Sequence, residues 1–457
     1  MKIILREKLC IILVFCLALT PVSLAMGETT LYILGLGKNN IQYQIFTQAH
    51  PGLNVEIESN IFLSTNEMVN AMLTGEFPYD TFVITSGSFD VKQMLVKGYC
   101  ADVSDSSVLS SELGKMYEPI EQLLTHDGHI HGIPSYFYMG YYTYDPDAWA
   151  AAGLSEEDVP TSFDEYLDFL EAWTERIKEE PEDEISVCNL FDCELYGEHS
   201  YIEYLVDPLV TNYIMQCNYA DEPLRFDTPL FRDMLERCQR IGTDLYANEP
   251  EQKAELGLFY DRYGMRELTH LVPLRMTADQ PILIKATLNM ICVNQRSQHQ
   301  ELAREYLETC VACIEPEVGA YLYRDAEPVE QPGYMLSMDA LQEEIDALEQ
   351  KLSDSSTTIE PIELNTMQDE LAEKKLKWEE MSTSEERYLI SPADLELYRN
   401  YGDCLYFQPP SIFDPATEEG QNLRQLRDGF STGNLTVEQF ISRLDEMAWI
   451  LELEESK

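Results

Sequence analysis

Apolar and polar positions follow one rhythm up to about Thr161 and another beyond it. Thr30–Leu36 is a β-branched, apolar run, and Leu53–Glu58 sets Val55 and Ile57 between polar neighbours. Both patterns predict strands, because side chains alternate across a strand with period two. Between them Ile41–Ala49 predicts a helix, which His50-Pro51-Gly52 breaks. Glu67–Leu73 predicts a second helix with Gly75 near its end. Thr81–Thr85 predicts a third strand, closed by Ser86-Gly87-Ser88. Strand and helix in regular succession imply an α/β domain with mainly parallel strands.

Beyond Thr161 the period lengthens to that of helices. Phe163, Tyr166, Leu167, Leu170 and Trp173 fall on one helical face, and Thr161 or Ser162 can cap it. Pro229–Ile241 predicts another helix. Ala286–Val293 reads as a buried strand, followed by a helix over Gln300–Cys313. Thr436-Val-Glu-Gln439 has the form of a capping box that opens a last helix. Leu341, Ile345, Leu348 and Leu352 recur at helical spacing. After the polar Ser353–Thr358, a second stripe of Leu364, Met367, Leu371, Trp378 and Met381 follows. Two such stripes separated by a turn predict an antiparallel helical hairpin over 337–387.

A length of 457 residues suits two domains better than one. The formal net charge of −51 repels nucleic acid and anionic lipid, so neither is an expected partner. It does not set the sign of a ligand, since local charges do that. Lys2, Arg6 and Lys8 precede an apolar run over Leu9–Leu19, and Ser23-Leu24-Ala25 offers a small-residue cleavage site before Met26. This pattern predicts an export signal over 1–25, with a retained anchor as the alternative. Of eleven cysteines, Cys10 and Cys16 fall in that leader, so an odd number remains and one thiol has no partner in the chain. Cys188 and Cys193 are close enough for a small disulfide loop. Cys310 and Cys313 have CxxC spacing, but on a helical run with no second pair they read as core residues.

The order of several segments carries a resemblance. Asp127-Gly-His-Ile-His-Gly-Ile-Pro134 leads into an aromatic run, then Tyr144-Asp-Pro-Asp-Ala-Trp-Ala-Ala-Ala-Gly-Leu154, then Pro160-Thr-Ser-Phe-Asp-Glu-Tyr166. Together with His50-Pro-Gly-Leu-Asn-Val-Glu56, Gly75-Glu-Phe-Pro-Tyr-Asp80, Gly98-Tyr-Cys-Ala-Asp102 and Gly433-Asn-Leu-Thr-Val-Glu-Gln-Phe-Ile441, it resembles the extracellular solute-binding proteins of ABC importers, of the sugar-capturing type. The resemblance covers most of the chain except the hairpin and the stretch 180–217. It implies an α/β, two-domain periplasmic-binding-protein-like fold (type II) with a hinged cleft. The implied first domain spans 26–138 and 273–325, and the second, more helical one 139–272 and 326–457 with the hairpin inserted in it. The implied function is reversible capture of a sugar or oligosaccharide between the domains and its delivery to a membrane permease, by an exported, monomeric protein. Many members of that family carry a lipid anchor. Here Phe15 stands before Cys16, where lipid attachment needs a small residue.

Capturing a sugar takes flat aromatic faces for its C–H surface and planar polar groups for its hydroxyls. As a strand, Tyr136-Phe-Tyr-Met-Gly-Tyr-Tyr-Thr-Tyr144 places Tyr136, Tyr138, Tyr142 and Tyr144 on one face. By the resemblance this segment lines the cleft, with Tyr136 and Tyr138 as first contacts and Tyr142 beside them. Ser86, Gly87 and Ser88 follow the carboxyl end of a strand, where open α/β sheets bind ligands. Asp80 precedes that strand and reads as structural. Arg275 can bind a carboxylate or sugar hydroxyls.

Two departures keep the ligand class open. Thr143 stands where the family often has Asn, and Val272-Pro-Leu-Arg-Met276 has no tryptophan where the family has a Gly-Gly-Trp-like element. A peptide or other non-sugar solute is therefore one alternative. A surface interaction protein that uses the hairpin is another. His129 and His131 alternate as a metal pair would, yet no cofactor or metal is expected. The chain has no nucleophile elbow, Walker loop or HExxH, so no enzyme is expected, with a secreted glycosidase as the remaining catalytic alternative.

Overall fold

The computed structural model describes residues 29–35, 37–38, 40–59, 65–88, 90–144, 146–179, 185–186, 198–248, 254–255, 260–264, 271–272, 275–354, 361–409, 413 and 420–455. The expected export signal and the Cys188–Cys193 pair lie outside the described residues.

Buried side chains separate into two hydrophobic cores. The first is built on a mixed sheet. Strand β1 (Thr30–Leu34) pairs in parallel with β2 (Asn54–Glu58) and β3 (Thr81–Thr85), linked by helices α1 (Ile41–Ala49) and α2 (Thr65–Thr74). The apolar Leu31, Ile33 and Leu34 turn inward and Tyr32 outward. Two further strands, β4 (Gly132–Thr143) and β5 (Ile284–Val293), extend the order to β2-β1-β3-β5-β4; the short Tyr260–Gly264 and Leu271–Val272 pair with β4, and Leu405–Tyr406 with β5. β5 runs antiparallel to β3 and β4 and parallel to Leu405–Tyr406, and a bulge interrupts its register with β4 after Asn289. The central sheet thus closes only when the chain returns from elsewhere.

The second core is helical. Helices α3 (Phe163–Glu179), α4 (Glu198–Tyr219) and α5 (Pro229–Asn248) pack around Trp149, Phe226 and Phe231. Gly242 allows α5 to approach α4 closely, since a Cβ there would meet the backbone nitrogen of Ile202 at 2.8 Å. The predicted caps are present: Ser162 Oγ accepts from the N–H of Glu165 at 3.2 Å. Thr436 and Gln439 exchange side-chain and backbone bonds ahead of the final helix, Val437–Glu455.

Among the described residues the chain passes between the cores three times. Met139 belongs to the first and Tyr142 packs on the second; Met276 and Ile284 frame the return; Leu405 and Phe413 frame the last passage. The expected boundary at 326 is therefore corrected. Val329, Ile390, Leu395, Tyr398 and Leu405 are buried in the first core, not the second. Their partners explain why: Tyr398 packs edge-on against Tyr117 and Tyr321, both first-core residues, and its hydroxyl donates to the Tyr321 carbonyl at 2.9 Å.

From the short ladder Val329↔Ile390 and Glu330↔Tyr388 rise helices α6 (Pro332–Asp354) and α7 (Pro361–Thr383). They run antiparallel: Tyr334 reaches the Met381 carbonyl at 3.1 Å, Glu344 pairs with Lys374 at 2.8 Å, and Glu349 pairs with Lys375 at 2.5 Å. Met338, Leu341, Ile345 and Leu348 are buried, as their spacing requires. This arm is rooted on the first core.

Candidate functional site

Strand β4 carries the chain from one core to the other, and its two faces differ. Phe137 and Met139 are fully buried, and Phe137 stacks on Tyr321. Tyr136 and Tyr138 point the other way, with rings 6.0 Å apart, and Tyr136 is 48% exposed. The neighbouring strand sets Asn289 opposite Tyr136 and Thr287 opposite Tyr138. Directly opposite residues share a face of a sheet. Asn289 in turn stands opposite Thr85, whose hydroxyl donates to Asn289 Oδ1 at 2.8 Å. That bond fixes the amide and directs its NH2 group away from Thr85. Asn289 Nδ2 has no acceptor among the described residues. Two aromatic rings and a positioned amide therefore share one half-open surface.

The turn after β3 borders this surface. Gly87 has φ +88°, a left-handed conformation that favours glycine. A Cβ there would lie 3.9 Å from the Gln408 carbonyl, so the turn meets the third passage of the chain. Gln408 Oε1 is buried and unpartnered among the described residues. Ser88 is exposed beside it, its N–H bonded to the Thr85 carbonyl at 3.1 Å.

The remaining predicted contacts fall elsewhere. Ser86 is 3% exposed, and its hydroxyl and N–H bond the N–H and carbonyl of Leu288, both at 2.9 Å. It extends the β3–β5 ladder. Tyr142 pairs with Val272 and packs against the second core. Arg275 sits at the start of α3, where its carbonyl accepts from the Phe163 N–H at 2.6 Å and its guanidinium reaches the Gln280 carbonyl at 3.4 Å. The N–H of Thr161 holds the nearby Glu165 carboxyl below its ordinary range, and Arg275 adds to that effect. No described contact of Arg275 reaches β4.

The histidine pair is tied to the fold. His129 meets Asp102 at 2.8 Å and His131 meets the Cys100 carbonyl at 3.2 Å; no group of ligands able to hold a metal occurs among the described residues. Cys310 is buried in the first core, and burial pushes its thiol up, away from reactivity. No described helix is long and apolar enough to cross a membrane.

No protein-family model and no curated protein sequence matches the chain. Solved structures do. The sugar-binding protein MalE from Xanthomonas citri is 12% identical, with 93% of this chain and 98% of that one covered, at a TM-score of 0.51. This chain has its two-domain, type II binding-protein fold. Also similar, at TM-scores of 0.48 and 0.46, are the GacH receptor of Streptomyces glaucescens (11% identity; 93% and 99% covered) and the ABC substrate-binding protein Lmo0181 from Listeria monocytogenes (11%; 92% and 98%).

Asn289 and Gln408 were missed from the sequence. A signal existed for the first: Lys285, Thr287 and Asn289 alternate as half-exposed polar positions in an otherwise buried strand. Nothing local marks Gln408, which owes its place to the third passage of the chain.

Proposed function

We propose that this protein reversibly captures a carbohydrate, preferably an oligosaccharide, between its two bodies and delivers it to a membrane permease as an exported binding component. The observation that carries this reading is the paired Tyr136 and Tyr138 rings beside the fixed amide of Asn289, on the strand that joins the cores. Aromatic rings bury the apolar face of a pyranose, and an amide satisfies its hydroxyls. Three chain passages make a hinge of few residues, which suits closure around a ligand. The fold shared with the Xanthomonas citri protein, itself sugar-binding, supports the same reading. Binding shifts the open–closed balance only by the ligand's differential affinity for the two states.

The test is calorimetric titration of the chain with mono- and oligosaccharides, amino acids and short peptides. An oligosaccharide is expected to bind, and Tyr138→Ala to weaken it by about 1–3 kcal/mol through lost stacking and burial. A peptide hit in place of sugar would keep the hinge and replace the ligand class. Sugar affinity untouched by Tyr138→Ala would remove the β4 surface from the site.

A further inference from the structure

A cavity of about 770 Å³ opens beside two of the chain passages and shares no residue with the Tyr136–Tyr138–Asn289 surface. Ile282, Leu283 and Phe407 come from the passages themselves. Leu123 comes from the helix Glu118–Leu124, and Tyr219 is the last residue of α4. This volume falls within the roughly 300–1,000 Å³ of small-molecule sites.

We propose that this cavity is a second binding site, taking a small amphiphile with a flat apolar body and one polar end, and that its occupant biases the angle between the two bodies. The lining supplies the body's environment: aliphatic side chains flanked by the rings of Tyr219 and Tyr406, 6.3 Å apart. The rim supplies the polar contacts. Glu118 and Asp403 are both engaged, the first by Gln122 at 2.8 Å, the second by the Glu118 N–H at 3.3 Å and by Arg324 at 3.7 Å. Lys92, which also lines the cavity, has no hydrogen-bond or ion-pair partner among the described residues. A polar group placed there meets this ammonium.

The coupling follows from where the walls are anchored. Gln216, on the last turn of α4, donates to the Pro281 carbonyl at 3.0 Å, and Tyr219 packs edge-on against Tyr406. The end of a second-core helix is thus held against both passages, with the cavity between. A change in the angle of the bodies moves Tyr219 relative to Ile282 and Tyr406, so a molecule filling the space favours one angle. Coupling of this kind is reciprocal: whatever factor the amphiphile changes for the primary ligand, the primary ligand changes for the amphiphile. This second half of the proposal rests on closure around a sugar.

The full chain is titrated with 8-anilinonaphthalene-1-sulfonate, an aromatic body carrying one sulfonate, and fluorescence is followed. Saturable binding at one site is expected. Ile282→Trp, which fills the space, should weaken it about tenfold or more, roughly 1.4 kcal/mol. Lys92→Glu should weaken it about threefold or more by reversing the local charge. Leu376→Ala, on the exposed flank of the helical arm, should leave it unchanged. Dye binding insensitive to both Ile282→Trp and Lys92→Glu overturns the site. If Ile282→Trp does not fold, as circular dichroism reports, Lys92→Glu on its exposed helix position decides alone. Sugar affinity is then measured with and without saturating dye. A shift of about threefold or more supports the coupling and an unchanged value overturns it. If no sugar binds even without dye, the primary reading has failed while the dye titration still decides the cavity.

Discussion

Buried polar side chains do different work in the two bodies. In the first they bond the main chain: Asp80 Oδ2 takes the Tyr32 N–H at 2.9 Å, Ser86 Oγ the Leu288 N–H at 2.9 Å, and Asn294 Nδ2 reaches the Tyr79 carbonyl at 2.8 Å. In the second, a buried arginine bonds side chains across helices. Arg237 of α5 meets Asp164 at 2.8 Å, Asp168 at 2.5 Å and Glu171 at 2.9 Å, all on α3. The reason lies in the backbone. Strand ends present N–H and C=O groups sideways, and these need partners wherever the ladder stops. A helix satisfies its own backbone, so only side chains can tie it to a neighbour. Register in the first body is therefore set by atoms every residue has. Helix spacing in the second depends on which side chains are present, and that body is the freer to adapt its contribution to a ligand.

Four experiments probe this contrast. The largest effect is expected in the aromatic centre of the second body, where Phe231 lies 4.9 Å from Tyr213 and 5.0 Å from Phe226. Phe231→Ala should cost about 3–5 kcal/mol. Hydrogen exchange should speed up in α4 and α5 while Thr81–Thr85 keeps its protection. Loss of protection in both bodies together would show one cooperative unit and break the comparison. Next comes Asp80→Ala, which strands the Tyr32 N–H and the Ser297 hydroxyl that bonds Asp80 Oδ1 at 2.5 Å. A loss of about 1–3 kcal/mol is expected in urea unfolding, because partly buried donors are left unpaired. Arg237→Met should cost less, about 1–2 kcal/mol, because its three carboxylates are half-exposed and water screens them. The difference between Arg237→Met and wild type should shrink in high salt; a salt-independent difference would locate the effect in packing alone.

The smallest effect is a pH dependence inside the first body, at its exception to the rule. His50, at the end of α1, bonds Glu305 at 2.8 Å and the Phe46 carbonyl at 2.9 Å. The bond to Glu305 raises the His50 pKa above 6.5, against the opposing pull of burial. Its contribution to stability is therefore complete below pH 6.5 and is lost as pH rises through the folded-state value. Melting curves from pH 5.5 to 8.5 should show that decline in the wild type, and His50→Gln should flatten it. Equal slopes in both proteins would place the titrating group elsewhere.

Legibility followed the same division. Ile41–Ala49 was predicted as a helix and is one, and the Thr436–Gln439 capping box closes as its spacing requires. Period two put Tyr136 and Tyr138 opposite Phe137 and Met139, and the sheet keeps that split. The stripe from Leu341 to Leu348 is the buried seam of a helical pair. The hydroxyl of Ser86 bonds a strand about 200 positions away, a partner for which the local turn has no marker. The segment from Val329 to Leu405 was placed with the wrong body because apolar spacing tells which face is buried, not against what.

The sequence by itself determined element types, their caps, their inward faces and the aromatic character of β4, because each depends on neighbours within a few residues. Only the tertiary structure decided that Asn289 joins the tyrosines, that Gly87 meets Gln408, and that a cavity lies between Tyr219 and Ile282. Those contacts join residues far apart in the chain, and the route that unites them is the return of β5 into a sheet begun far earlier in the chain.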